Sequence, residues 1–377
     1  MPPAKLAAVA DQELDSLLQE AVARHDLPNV VAVVANRDTT LYQGAVGVER
    51  SAIFRIASMT KPVTSLAVMM LAERGLLALD DPLERYLPQY AGREVMLNYN
   101  TADGTFRTRR AAKPLTLRHL LTHTAGFSYD FCNEAVFALC QDGKRTPREL
   151  PLLFDPGDGW AYGCATGILG DVITQVVGEP FYTFQKTQIL QPLGMVDTGY
   201  FPDDDALARL VPLHFRKGAS YIQDTSDQPY RPHLTADGGL LGTAADYIRF
   251  LQMLLNEGQL GETRLLSAAS VHAMTRNQIG NLTVSRQVAA KPRSTRPFPM
   301  GANQDKFGLG FQLKVGAETN LREPGSYSWG GIFNTHFWAD PQTGIAAVLL
   351  TQILPFYDDQ VMRVLRDFEQ CVYKNLV

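Results

Sequence analysis

Ser58-Met59-Thr60-Lys61 stands at the seam between the strand-like run Ala52–Ile56 and the apolar run Pro62–Leu71. Read as a strand entering a helix, the seam puts a serine and a lysine three residues apart on one helical face. A serine hydroxyl is a poor nucleophile near neutrality and needs a base, or a base held by a cation. A lysine one turn along supplies that group without help from a distant loop. Three-apart Ser/Lys pairs are common on helices, so the tetrapeptide gains weight only from what accompanies it.

Outward from the seam, the pattern is β-rich at both ends of the chain. Leu14, Leu17, Leu18, Ala21 and Val22 recur at helical spacing and predict an amphipathic helix over Asp11–Arg24. Val30–Ala35 and Thr40–Val46 read as two strands joined by a tight turn. Towards the C-terminus, Phe307–Val315, Ser326–Trp329, Thr335–Asp340 and Ile345–Thr351 read as strands, with a hairpin turn at Pro341-Gln342-Thr343-Gly344. Asp358–Tyr373 returns to helical spacing. Between the ends, helices are expected over Thr116–Thr122, Ala165–Val177, Phe181–Leu190, Ala244–Asn256 and Ser267–Met274, with Thr243 and Ser267 as N-caps. The expectation is an α+β fold: an antiparallel sheet built from both chain ends and flanked by helices. Residues 1–75 and 243–377 form the sheet domain, residues 76–242 an inserted, mostly helical lobe, and the site lies at their interface. The polar, proline-rich stretch Gly280–Gln304 reads as a mobile surface loop and a candidate lid.

Composition narrows the class. The 377 residues are 45% hydrophobic and 20% charged, ordinary for a globular chain. A net charge of −4 argues against general affinity for nucleic acid or anionic membrane. No secretory leader is legible before Asp11-Gln12-Glu13, and the run Val63–Leu71 ends at Glu73 and Arg74, short of a membrane span. The chain reads as soluble and cytoplasmic. Its four cysteines, Cys132, Cys140, Cys164 and Cys371, show no paired framework and are expected as free thiols, though Cys132 and Cys140 are near enough in sequence to bridge.

Two further segments keep company with Ser58 and Lys61. Tyr162 follows the turn-dense Asp155-Pro156-Gly157-Asp158-Gly159-Trp160, which would present it on an exposed loop ahead of a helix. A lysine ammonium nearby favours a phenolate, so a tyrosine there can act as a base. Trp329-Gly330-Gly331-Ile332 puts two glycines in a strand pattern, where close backbone approach is the usual reason and a bulge the plain alternative. Acyl transfer needs two backbone donors at the developing oxyanion. The N–H groups of Ser58 and Ile332 are the candidates, with Trp329, Gly330 and Gly331 lining the substrate.

Together these segments resemble the serine β-lactamase and penicillin-binding-protein superfamily, and within it the family VIII carboxylesterases. The carriers are Ser58-Met59-Thr60-Lys61, Leu120-Leu121-Thr122-His123-Thr124-Ala125-Gly126, Pro156-Gly157 with Trp160-Ala161-Tyr162, and Gln191-Pro192-Leu193-Gly194-Met195. Gly238-Gly239-Leu240, Ala245-Asp246-Tyr247, Phe307-Gly308-Leu309-Gly310-Phe311 and Trp329-Gly330-Gly331 complete them. The departures point to a branch. Lactamases and transpeptidases carry Lys-Thr-Gly where this chain has Trp329-Gly330-Gly331, so the cation for a substrate carboxylate is missing. Class C lactamases follow their tyrosine with x-Asn, and here Gly163-Cys164 stands instead. The class A Ser-Asp-Asn has only Ser226-Asp227-Gln228 as a counterpart, which reads as a surface turn.

The resemblance implies a serine carboxylesterase acting on short-chain acyl esters through an acyl-Ser58 intermediate, with Ser58, Lys61 and Tyr162 catalytic and no metal or organic cofactor. The partner would be a small-molecule ester. Acyl transfer to an alcohol or amine, and β-lactamase or D-amino-peptidase activity, are the alternatives, and a retired scaffold used for binding is the non-enzymatic one. Competing signals are weak. No G-x-S-x-G occurs. His119 and His123 have zinc spacing, but Leu120 stands where a zincin glutamate belongs, so a helix end beneath the site is the expectation. Arg107, Arg109, Arg110 and Lys113 read as a solvated loop, and Asp80-Asp81 as a helix start at Pro82.

Overall fold

Val30–Ala35 is six apolar residues long and every one is buried, because the strand has a covered face on each side. It lies inside a seven-stranded sheet, in the computed structural model that describes residues 4–100, 104–226 and 230–377. The strand order is Lys306–Phe307, Gln312–Leu313, Tyr327–Gly331, Thr335–Asp340, Ile345–Leu350, Val30–Ala35, Thr40–Val46. All neighbours are antiparallel, and the first chain end joins the last through Val31↔Leu350 and Ala35↔Ala346. Side chains alternate between the faces. Val30, Ala32, Val34, Ala347, Leu349 and Trp338 meet Leu14 and Leu18 of the helix Ala10–Ala23, and Val361, Leu365 and Phe368 of the helix Asp359–Lys374. Val31, Val33, Val348 and Leu350 face the other way, into the core that holds Val63, Leu66 and Phe250.

That second core surrounds the helix Thr60–Glu73, whose residues Thr60–Leu71 are all buried. A helix wrapped on every side needs an apolar surface all round, which is why Pro62–Leu71 shows little polar face. The expected helices are present as Leu117–Leu121, Ala165–Val177, Ala244–Leu255 and Ala268–Met274, and the last two are capped by Thr243 and Ser267 through the Asp246 and Ser270 N–H groups. Phe181–Gln185 is α-helical and runs into a wider turn over Lys186–Leu190.

Five readings need correction. Phe307–Val315 is two short strands, because Gly308-Leu309-Gly310 turns between them; Gly310 has φ +102° and lies against Ser65. The stretch 76–242 also contains two hairpins, Glu94–Tyr99 with Phe106–Arg110 and His214–Lys217 with Ser220–Gln223. Arg107, Arg109 and Arg110 therefore lie on a strand, and Arg109 pairs with Asp155 while Lys113 pairs with Asp158. Beyond Asp80-Asp81 and Pro82 come only two short 3₁₀ turns, Leu83–Arg85 and Pro88–Tyr90, with Asp81 accepting from the Ala78 N–H and Asp80 pairing with Arg118. Gly280–Gln304 has no regular element, yet it is held down rather than loose: Thr295 and Phe298 are buried and Lys291 pairs with Asp130. Asp227 and Gln228 lie outside the described residues. All four cysteines are free. No helix among the described residues is long and apolar enough to cross a membrane.

Candidate active site

The chain reaches Ser58 through a constrained corner. Phe54–Arg55 pairs with Leu241–Gly242, and the Ile56 N–H donates to Leu240 O at 3.1 Å. Ala57 then takes φ +45°, a conformation that an L-residue holds only when its surroundings insist. The surroundings are the strand Tyr327–Gly331. Thr335 Oγ1 donates to Ile56 O at 3.2 Å, and Gly331 approaches so closely that a Cβ there would lie 2.4 Å from Ile56 O. One 3₁₀ turn, Ala57–Met59, leads into the helix Thr60–Glu73 and places Ser58 and Lys61 on the same side.

Lys61 is 1% exposed and all three of its possible donor directions end on oxygen. Nζ lies 3.0 Å from Ser58 Oγ, 3.0 Å from Tyr129 OH and 2.7 Å from Asp237 O. The Tyr162 hydroxyl lies 2.6 Å from Ser58 Oγ, and Trp329 Nε1 donates to it at 3.4 Å. Ser58 with Lys61, Tyr162 and Trp329 thus meet from three separate segments. Tyr162 does sit on a loop before a helix, but the loop is buried, not exposed: the residue is 3% exposed, with its ring against His123, Phe298 and Trp329. Gly163 makes room for this, since a Cβ there would fall 2.5 Å from Phe127 O.

Gly330 ends its outward pairing early. The neighbouring short strand meets only Tyr327 and Ser328, so beyond Ser328 the outer edge of Tyr327–Gly331 is open. Hydrogen-bonding groups alternate between the two edges of an antiparallel strand. Ser326 O accepts from the Lys314 N–H on the outer side and Gly331 O accepts from the Asn334 N–H in the turn on the inner side. The alternation sends the groups of Gly330 to the open edge. Ile332 itself is the first residue of the turn, half-buried, and not part of the strand.

Sequence reasoning missed Tyr129, Asp237 and Gln287. The Tyr129 hydroxyl donates to Asp237 Oδ2 at 2.5 Å, and the Tyr162 N–H donates to Gln287 Oε1 at 3.2 Å. Asp237 directly precedes the quoted Gly238-Gly239-Leu240, but nothing in residue order pairs it with a tyrosine more than a hundred positions earlier. Burial alone would raise the Asp237 carboxyl; Lys61 and the Tyr129 hydroxyl outweigh it and hold the group below the usual range. Burial, then Asp237, raises Tyr129 well above an ordinary phenol. His123 is buried beneath the Tyr162 ring at 5.0 Å between centroids, and burial followed by Lys61 pushes it well below the usual imidazole range, so it is neutral. His119 is spent on a capping box with Thr116. No group of three His, Cys, Asp or Glu suited to a metal occurs among the described residues.

Comparison with known proteins agrees with this architecture. The Beta-lactamase family model matches residues 14–370. Esterase EstB of Burkholderia gladioli is 30% identical, over 92% of this chain and 91% of its own. Acyltransferase calJ of Penicillium decumbens is 26% identical, over 90% of this chain and 85% of its own. A simvastatin synthase of Aspergillus terreus, the LovD6 mutant, superposes with a TM-score of 0.84 at 25% identity, covering 97% of this chain and 95% of that one. With the family match running through nearly every element of both cores, the chain belongs to the Beta-lactamase family.

Proposed function

We propose that the protein is a serine carboxylesterase acting on small neutral esters through an acyl-Ser58 intermediate. The observation that carries the reading is the contact of Ser58 Oγ with Lys61 Nζ at 3.0 Å and with the Tyr162 hydroxyl at 2.6 Å. In this reading Ser58 Oγ attacks the ester carbonyl and its proton passes to the Tyr162–Lys61 pair. The N–H groups of Ser58 and Ile332 receive the oxyanion. The proton then goes to the departing alcohol, and water activated by the same pair releases the acid. No metal or organic cofactor enters any step.

The walls support a substrate without charge. Trp329 stands at the strand position where a carboxylate-binding lysine would sit, and Tyr129, Tyr162, Phe298 and Trp329 surround the serine with aromatic surface. Buried Cys164 follows Gly163 and offers no amide to a β-lactam or peptide. The likeness to EstB favours hydrolysis. The likeness to an acyltransferase favours a second reading, in which an alcohol replaces water in resolving the acyl-enzyme. A cytoplasmic location accompanies both and is supported by the free cysteines.

The test is hydrolysis of p-nitrophenyl butyrate by wild type and Ser58→Ala, with Lys61→Ala and Tyr162→Phe alongside. Turnover lost in Ser58→Ala and reduced about 10²-fold or more in the other two is expected. Wild-type turnover in Ser58→Ala would remove the assignment. Ester product formed on adding an alcohol would favour transfer over hydrolysis.

A further inference from the structure

Lys61 meets three oxygens, and which of them accepts depends on where the protons lie. A lysine ammonium has three hydrogens to give, whereas a neutral amine has two and a lone pair. The direction of the chain is set at its far end. Asp237 is buried, and its carboxyl, held ionised, can only accept. Tyr129 has a single hydroxyl proton and gives it to Asp237 Oδ2 at 2.5 Å. The Tyr129 oxygen is then left as an acceptor towards Lys61 Nζ at 3.0 Å. Asp237 O, a backbone carbonyl, is an acceptor in any case at 2.7 Å. With two hydrogens taken by acceptors that cannot reverse, the third falls on Ser58 Oγ at 3.0 Å. Ser58 Oγ therefore accepts both from Lys61 and, at 2.6 Å, from the Tyr162 hydroxyl, whose own oxygen accepts from Trp329 Nε1 at 3.4 Å.

A second cation steadies Asp237 in this role. A Cβ on Gly167 would fall 2.2 Å from Arg148 Nη2 and 3.1 Å from the Asp237 carboxyl carbon, so the missing side chain lets the guanidinium and the carboxylate face each other across the helix Ala165–Val177. Arg148 also donates to Asp171 at 3.0 Å. The ionisable groups around the chain include Lys61, Arg148, Asp171, Asp237, Tyr90, Tyr129, Tyr162, Tyr200, Cys132, Cys164 and neutral His123. Two cations face two carboxylates, and Lys61 with Arg148 helps hold the Asp237 carboxyl below the usual range against its burial.

We infer that Asp237 is a positioning residue: through the Tyr129 hydroxyl it fixes Lys61 as a three-way ammonium donor and so holds Ser58 Oγ in its contacts with Lys61 and Tyr162. The inference rests on the acyl-Ser58 reading above. Asp237→Asn reverses the chain with little change of shape. The amide can donate to the Tyr129 oxygen, the Tyr129 hydroxyl can then donate to Lys61, and Lys61 is better served as an amine with a lone pair. Tyr129→Phe cuts the chain outright.

The experiment measures kcat and KM for p-nitrophenyl butyrate from pH 5 to 10 in wild type, Asp237→Asn, Tyr129→Phe and the double variant. The rate at which a fluorophosphonate labels Ser58 is followed in parallel, and the melting temperature of each protein is recorded. Asp237→Asn and Tyr129→Phe should each lower kcat by about 10²-fold, the range of a lost acid–base route, with KM little changed. The acid limb of kcat/KM should shift by a unit or more, and the double variant should be no worse than the poorer single one, because both break one chain. Near-wild-type kcat in both single variants overturns the inference. So does a loss that tracks melting temperature with an unmoved pH profile, or a double variant whose losses multiply. If Asp237→Asn does not fold, Tyr129→Phe reads the same chain. Failure of the underlying reading looks different: the label would then miss Ser58 in the wild-type protein itself.

Discussion

Gly331→Ala tests whether the corner before Ser58 depends on bare backbone. The added methyl would lie 2.4 Å from Ile56 O and 2.4 Å from Thr335 Oγ1, against an ordinary contact of at least 3.4 Å. Thr335 can rotate, but Ile56 O is main chain and must yield by roughly 1 Å, or the strand must. Either movement alters the spacing between the Ser58 and Ile332 N–H groups, because Ile56 is two residues before one and Gly331 one residue before the other. A displacement of about 1 Å at a reacting centre costs on the order of 10²-fold in rate, or about 2.7 kcal/mol of barrier. Overpacking should remove a further ~1–3 kcal/mol of stability. The assay is kcat/KM on p-nitrophenyl butyrate together with urea unfolding. Gly199→Ala is the control, since a methyl there meets nothing within 4 Å, and should leave both quantities unchanged. Gly331→Ala keeping more than a third of wild-type kcat/KM would refute the reasoning. The close approach would then be a packing detail with no bearing on the proposed oxyanion donors.

Two further predictions concern the protein away from the serine. Burial, with Arg322 adding to it, lowers His336 to about 3, while an unfolded imidazole takes its proton near ~6.5. Its contribution is complete above the unfolded value and is lost as pH falls from there towards 3, about 2 kcal/mol of it by pH 5. His336→Phe should therefore lose ~2 kcal/mol less than wild type between pH 8 and pH 5 in urea unfolding; equal losses would exclude the buried neutral histidine as a cause. Burial raises the thiols of Cys132 and Cys164 to about 12, so neither should react with a disulfide reagent at pH 8 while the protein is folded. In denaturant without reductant all four thiols should react, and a count of two would mean a disulfide where the structure has free cysteines.

Residue order alone carried the local structure and the chemistry that local structure arranges. The β-branched run Val30–Ala35, the spacing of Leu14 and Leu18, and the caps Thr243 and Ser267 declare their elements because strand alternation, helical period and capping act over a few residues. Ser58 and Lys61 were legible for the same reason, one helical turn being a local fact. Tyr162 and Trp329 were legible as segments that resemble those of a known superfamily. The rest was decided by packing. Tyr129 and Asp237 are 108 residues apart and meet only because the helix Ala165–Val177 and the Gly238-Gly239-Leu240 corner are pressed onto Thr60–Glu73. Gly308-Leu309-Gly310 bends because Gly310 lies against Ser65 of that helix, and the polar stretch Gly280–Gln304 packs down because Gln287 and Phe298 meet Tyr162. Such contacts join segments with no sequence relation. Their free energy exists only when the whole core has closed, so no window of the chain can announce them.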